Sequence, residues 1–321
     1  MIAVINVLVT SPCNELTRSA FQSKFGGRCS FIFRSPDNIS DVIGSADAII
    51  GVLPLEDIQK AENLRWVQMT QAGTDRYTCH DGFPADVILT NASGAFGVTI
   101  SEYVMGAVLS LYRRFPVYSD NMKHSLWQDA GAERTLFGET VLILGTGDIG
   151  SNIAKRIKPF GVKTIGVKRT KSAPSEYFDE FHTIDELDAL LPCADIVIGC
   201  VPNTPLTDGL LNEKRLRLMK QNSLLVNVGR GTLIDEAALI KVMSEGHLYG
   251  AVLDVFEEEP LPADSPLWKL PNVMITPHIS GKGFSHSPAT ERMIWDIAAE
   301  NLSRFLNGEP LIHTVDIKKG Y

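Results

Sequence analysis

The chain lacks any apolar run near the ~18 residues that a membrane-spanning helix needs. Residues 1–10 are apolar, but no basic segment precedes them and Ser11-Pro12 interrupts them at once. A first strand is expected there, not a signal peptide. Cysteine is scarce and scattered. Cys13, Cys29, Cys79, Cys193 and Cys200 are odd in number and form no Cys-x-x-Cys pair and no His/Cys cluster. That spacing gives no disulfide framework and no metal site; reduced thiols and a cytoplasmic location are expected. Basic stripes are missing too. A formal net charge of −8 argues against nucleic acid or an anionic membrane as the main partner. Repeats and low-complexity segments are absent.

What the chain does have is length and order. Its 321 residues suggest about two domains. Residues 1 to about 92 alternate apolar runs (Ile5–Val9, Ser30–Phe33, Ala48–Leu53, Trp66–Gln71, Val87–Asn91) with helical stretches (Glu15–Phe25, Asp37–Gly44, Leu55–Glu62). Such alternation predicts a parallel sheet covered by helices on both faces. A long helix is expected from Ile100 to about Asn121, capped by Thr99 or Ser101 and connecting the first unit to the second. Residues 123–138 show no clear period and read as a surface segment.

A second series of runs starts at Thr140: Thr140–Leu144, Lys163–Val167, Asp195–Cys200, Ser223–Val228, Gly250–Leu253 and Val273–Ile275. Helices are expected at Ile149–Lys158, Ile184–Leu191, Glu213–Met219 and Asp235–Glu245. This is the pattern of a doubly wound α/β domain with six strands. The last helix, Thr290–Asn307, places Ile294, Ala298, Leu302 and Phe305 on one face. No strand of the second unit remains for it, so it is expected to pack back on the first. The chain would then cross between domains twice, near 100–120 and near 285–290, with a cleft between them. The domains are drawn at 1–100 with 290–321, and at 101–289.

Within the second unit, Gly145, Gly147 and Gly150 follow the run Thr140–Leu144 in G-x-G-x-x-G spacing and open a helix. The first glycine allows a tight turn, the second lets the backbone approach a pyrophosphate, and the third allows helix and strand to pack closely. The helix start adds free N–H groups and the positive end of its dipole. A carboxylate about 20 residues further on would take a ribose 2′-hydroxyl. Here Lys168, Arg169 and Thr170 stand at that place. Two cations attract a 2′-phosphate, so NADP(H) is expected over NAD(H).

Three later runs end in polar residues: Asn227-Val-Gly-Arg230, Leu253-Asp254 through Glu259-Pro260, and Thr276-Pro-His278 through Gly281. Strand ends on one edge converge. An Arg there can bind a carboxylate through two parallel bonds and polarise a carbonyl. A His can donate the proton that reduction of a ketone requires, and a Glu beside it favours its charged form. In the first unit, Gln71-Ala-Gly-Thr74 ends a strand and could offer backbone N–H groups to a carboxylate, although an ordinary strand-to-loop turn explains it equally well.

Together these segments resemble the D-isomer-specific 2-hydroxyacid dehydrogenase family across essentially the whole chain. The motifs are Gly145–Gly150, Val201–Thr207, Asn227–Asp235, Leu253–Pro260 and Ser265–His278. The resemblance implies a cofactor domain inserted into a flavodoxin-like substrate domain. It implies that Arg230 binds the substrate, that His278 is the acid in reduction, and that Glu259 is its partner. Ala72, Gly73 and Thr74 would hold the carboxylate. Thr99 and Asp254 would serve the nicotinamide, with Val201, Pro202 and Thr207 on the adenosine side. Asp148, Ile149, Val228, Gly229, His278 and Gly281 would also line the cofactor.

Lys168 departs from the Asp of NAD-using members and is similar to NADPH-dependent glyoxylate/hydroxypyruvate reductases. Gln71 and Asn203 depart as well. Candidates for shaping the substrate pocket are Leu53, Met69, Gln71, Phe96, Trp127, Phe284 and His286.

The expected function is NADPH-preferring reduction of a small 2-keto acid to the D-2-hydroxy acid, in a homodimer formed through the cofactor domain. The alternative is a dinucleotide-sensing, corepressor-like binding protein on the same fold.

Overall fold

A computed structural model describes residues 4–169 and 173–320. The chain forms two compact units, residues 4–96 with 282–320 and residues 97–281.

The first unit holds a five-stranded parallel sheet. Its strands are β1 (Ile5–Val9), β2 (Cys29–Phe33), β3 (Ala48–Ile50), β4 (Trp66–Gln68) and β5 (Ile88–Thr90), in the order β2-β1-β3-β4-β5. β3 and β4 are buried along their whole length, as strands covered on both faces must be. One face carries Leu8, Ile49, Val67 and Leu89 with Ile58 and Tyr77. The other carries Val7, Ile50 and Trp66 with Phe21 and Phe25. The helix Pro288–Asn307 covers that second face through Trp295, Ala298 and Leu302. Ser287 caps it by accepting from Thr290 N–H, and Gly308 ends it at φ 70°. The return of this helix to the first sheet is the placement its apolar face predicts. The helix predicted at Asp37–Gly44 is only a single 3₁₀ turn, Ile43–Ser45.

The second unit holds a seven-stranded parallel sheet: β6 (Thr140–Leu144), β7 (Lys163–Lys168), β8 (Glu180–Thr183), β9 (Ile196–Gly199), β10 (Leu224–Asn227), β11 (Gly250–Leu253) and β12 (Val273–Ile275). The order is β12-β11-β10-β9-β6-β7-β8. Six of these strands follow the sequence pattern. β8 was not expected: it is a short edge strand, half-buried throughout and rich in polar groups, so it lacks an apolar signature. The single connecting helix expected over 100–121 is two helices, Gly97–Tyr112 and Phe115–Lys123. Arg114 between them adopts φ 54°, and Pro116 has no N–H with which to continue the first helix. Because the first helix begins at Gly97, Thr99 and Ser101 lie inside it and are not its caps. The Ser101 hydroxyl donates back to the Val98 carbonyl instead.

Candidate active site

In an open parallel sheet, ligands bind beyond the carboxyl ends of strands where the strand order reverses. In the second sheet that point lies between β6 and β9. The loop after β6 carries the glycine series. Gly145 sits at φ 100°, which a side chain would resist, and its N–H donates to the Val167 carbonyl at 3.0 Å. A Cβ on Gly150 would collide with the Gly145 carbonyl. Gly147 is exposed, with nothing within 4 Å of the place where a Cβ would stand. It is the N-cap of the helix Asp148–Ile157. The open backbone at Gly147 and the helix start together fit a phosphate group. Ile149 is half-buried in that helix's first turn.

The Asp148 carboxylate faces the protein. It accepts from Gly97 N–H and Asn152 Nδ2, both at 2.9 Å, and so ties down the start of the helix that contains Thr99. Beneath the glycine turn lies Cys200, whose thiol donates toward the Leu144 and Gly145 carbonyls. Burial pushes this thiol up to about 12, so it remains protonated. In the sequence, Cys200 is only one of five scattered cysteines.

Lys168 ends β7, one residue past Val167, which pairs with Leu144. Its ammonium lies 4.2 Å from the centre of the Phe181 ring. Arg169 follows and is exposed. Thr170 lies outside the described residues. On the β9 side, the Thr207 hydroxyl donates to the Pro202 carbonyl at 2.6 Å and so closes the loop that starts at Val201. Val228 N–H donates to the Gly199 carbonyl, and a Cβ on Gly229 would press against the Val201 backbone.

The next three strands carry the side chains expected to take part in the chemistry. After β10, buried Asn227 donates to the Arg230 carbonyl at 2.8 Å and accepts from Gly229 N–H at 3.2 Å. These bonds fix the turn from which Arg230 projects. After β11, Asp254 is 0% exposed. Its carboxylate accepts from the Thr276 hydroxyl (2.5 Å), Ile279 N–H (2.9 Å) and Ser280 N–H (2.9 Å). Its carbonyl accepts from His278 N–H. The residue expected beside the nicotinamide therefore also anchors the loop from Thr276 to Gly281. Tyr103, from the helix Gly97–Tyr112, donates to Thr276 at 2.6 Å. Burial, augmented by the Asp254 charge, pushes the Tyr103 phenol up to about 12, so it stays a donor.

His278 is held at φ 52°, a conformation that costs a side-chain-bearing residue of order 1 kcal/mol. Its Nδ1 lies 2.8 Å from Glu259 Oε2. The other Glu259 oxygen accepts from Phe256 N–H at 3.0 Å. Both side chains are partly exposed. The structure thus joins His278 and Glu259 as a pair through the Nδ1 side of the ring. Tyr103 and Thr276 steady this loop from behind. A Tyr and a Thr 173 positions apart carry no joint signal in a sequence.

In the first unit, Thr74 is buried and Gln71 is exposed. The Gln71 carbonyl accepts from Ala92 N–H at 2.9 Å, and the Ala72 carbonyl accepts from Asn91 Nδ2 at 2.8 Å. Across a trans peptide the C=O and the following N–H point in opposite directions. The N–H groups of Ala72 and Gly73 therefore face away from residues 91–92, and among the described residues neither has a hydrogen-bond acceptor. Of the pocket candidates, Leu53 and Met69 are fully buried in the core of the first unit and cannot line a pocket; Trp127, Gln71 and His286 are exposed.

Residues 105–280 match the model of the D-isomer specific 2-hydroxyacid dehydrogenase NAD-binding domain. The chain belongs to the D-isomer-specific 2-hydroxyacid dehydrogenase family. It is 33% identical to the glyoxylate reductase of Thermofilum pendens over 85% of this chain and 80% of that one. It is 32% identical to the D-3-phosphoglycerate dehydrogenase of Methanocaldococcus jannaschii over 95% of this chain, and spans 58% of that longer protein. A solved NADPH-dependent glyoxylate/hydroxypyruvate reductase from Sinorhizobium meliloti, in complex with NADP and sulfate, superimposes with a TM-score of 0.84. It is 29% identical, with 99% of this chain and 100% of that one covered. This family consists of oxidoreductases, and its second domain binds a nicotinamide dinucleotide. No helix among the described residues is long and apolar enough to cross a membrane.

Proposed function

We propose that this enzyme reduces small 2-keto acids, such as glyoxylate and hydroxypyruvate, to the D-2-hydroxy acid, with NADPH preferred over NADH. The 2.8 Å pair of His278 and Glu259 carries this reading. When bound, the reduced nicotinamide supplies the hydride. Arg230 binds the substrate carboxylate and polarises the keto oxygen. His278 donates the proton to that oxygen, while Glu259 holds the ring and balances its charge. The backbone N–H groups of Ala72, Gly73 and Thr74 take the carboxylate.

The cofactor would lie along Gly145, Gly147, Asp148, Ile149 and Gly150, with the pyrophosphate at the helix start. Lys168, Arg169 and Thr170 select the 2′-phosphate. Val201, Pro202, Thr207, Val228, Gly229 and Gly281 line the dinucleotide. Thr99 and Asp254 serve the nicotinamide; loop contacts fill three of the roughly four acceptor positions of Asp254 and leave one. The relative from Sinorhizobium meliloti, an NADPH-dependent reductase, supports the cofactor choice.

We also propose a homodimer through the cofactor domain. The helix Phe115–Lys123 buries none of its residues. Phe115, Met122, Leu126, Trp127 and Phe137 are all more than half exposed. So much apolar surface in one stretch of chain marks a contact surface.

Steady-state rates with glyoxylate, hydroxypyruvate, pyruvate and bulkier keto acids, each with both cofactors, test the reading. Hydroxypyruvate is expected to give the D-isomer of glycerate. An L-product, or no cofactor oxidation with any keto acid, would overturn it.

A further inference from the structure

The segment after the last helix does more than end the fold. Residues 311–320 run back along the first sheet. Thr314 bridges Thr90 in antiparallel fashion, Val315 N–H donates to the Leu89 carbonyl, and Asn91 N–H donates to the His313 carbonyl. Val315 and Ile317 pack into the core that contains Tyr77 and Met69. The segment then reaches the turn at 71–74, where the buried Thr74 hydroxyl donates to the Gly320 carbonyl at 2.6 Å.

A buried polar network joins the same segment to that turn from below. Asn301, 0% exposed, donates to the Ile312 carbonyl and accepts from Ile312 N–H. It also donates to Gln68 Oε1 at 2.8 Å. Gln68 Nε2 donates to the Asn91 carbonyl at 3.1 Å. Asn91 Nδ2 in turn holds the Ala72 carbonyl. Every link is a hydrogen bond between groups withdrawn wholly or partly from water, where breaking one leaves a partner unsatisfied.

We propose that residues 311–320 act, with Asn91 and Thr74, as the positioning device for the carboxylate-binding turn. This rests on the reading of Ala72–Thr74 as that turn. Two backbone N–H groups hold an anion well only if they converge on one point, so a turn held less firmly binds the carboxylate more weakly. Asn91 fixes the Ala72–Gly73 peptide from one side. The Gly320 bond fixes Thr74, where the turn enters the next helix. The device acts on substrate binding alone, so it moves KM and leaves the proton-transfer step untouched.

The test compares the native chain with a chain ending at Ile317, with Thr74→Val, and with both changes together. Each single change is expected to raise the KM for glyoxylate by about 5- to 10-fold, with kcat within about twofold and the Kd for NADPH unchanged. Because both remove the same bond, the combined variant should be no worse than either alone. Thr74→Ser, which keeps the hydroxyl, should recover most of the loss. Thermal unfolding identifies a variant that has simply lost its fold. A KM within twofold of native for the shortened chain, or a parallel loss of kcat, overturns the proposal. Gly73→Pro, which deletes one N–H of the turn, separates the two ideas. If it raises KM and the shortened chain does not, only the positioning role fails. If it leaves KM unchanged, the turn does not bind the carboxylate and both readings fall.

Discussion

The two sheets share one architecture and use it differently. In the first, strand order reverses between β1 and β3, and the loops that follow the strands there are tied to one another. A Cβ on Gly51 would collide with the Thr10 hydroxyl, and the Ser11 hydroxyl bonds Thr70 at 2.7 Å. In the second, the corresponding point between β6 and β9 is open at Gly147. Fold alone therefore does not make a nucleotide site; the loops do. The offerings at the strand ends differ as well. The second sheet presents charged side chains anchored by buried carboxamide and carboxylate groups, Asn227 and Asp254. The first presents backbone N–H groups, held out by hydrogen bonds to the carbonyls behind them. Chemistry and cofactor choice should therefore respond to side-chain changes in the second unit, and substrate affinity to backbone changes in the first.

The largest expected effect is on the proposed proton donor, His278. His278→Gln should lower kcat with glyoxylate by about 10²–10⁴-fold while NADPH still binds, as stopped-flow or steady-state absorbance at the NADPH band will report. Near-normal turnover would remove His278 from the reaction. Next comes cofactor choice. Lys168→Asp combined with Arg169→Ala should lower the NADPH/NADH ratio of kcat/KM by at least about tenfold, since one charge-assisted bond is worth about 1.5–3 kcal/mol. An unchanged ratio would detach β7 from cofactor selection. Trp127→Asp places a charge in the exposed apolar stretch, and analytical ultracentrifugation should show dimers giving way to monomers at micromolar concentration. If the wild-type chain sediments as a monomer, that surface has another use.

The smallest effect concerns the start of the edge strand β8, which pairs with the strand that carries Lys168. Asp179 lies before β8 and accepts from Thr164 N–H (2.8 Å), the Thr164 hydroxyl (3.0 Å) and Lys158 (2.8 Å). Partial desolvation would raise its pKa, but the bonds from Lys158 and Thr164 prevail and hold it at about 2. A depressed carboxylate stabilises the fold above its unfolded pKa, near 3.9, and that stabilisation is lost as the pH falls through about 2. The pair is partly exposed, so no more than about 1 kcal/mol is expected. Asp179→Asn should lower the Tm at pH 7 by about 2–4 °C and by less at pH 2. An equal drop at both values would assign the effect to packing.

Much of this was legible in the residues because it was local. A glycine series between an apolar run and a helix, and polar residues just past apolar runs, need only neighbours along the chain to be read. What was not legible depends on distance. β8 exists because β7 offers it an edge. The break at Arg114 replaced one long helix with two because local backbone geometry at Pro116 overrode a continuous helical pattern. Asp254 looked like a cofactor ligand, and its service to the His278 loop needed Thr276 and Ser280 to be seen. The bond from Thr74 to Gly320 spans 246 positions, and no pattern in either segment announces it.

In the proposed reaction NADPH reduces a 2-keto acid, with Arg230 binding the substrate and the Glu259–His278 pair supplying the proton. The most direct measurement is the initial rate of cofactor oxidation by the wild-type protein with glyoxylate, in parallel with NADPH and NADH. Turnover with both and a kcat/KM at least about tenfold higher with NADPH is the expected result if Lys168 and Arg169 hold the 2′-phosphate as proposed. No oxidation above background, or a preference for NADH, would contradict it.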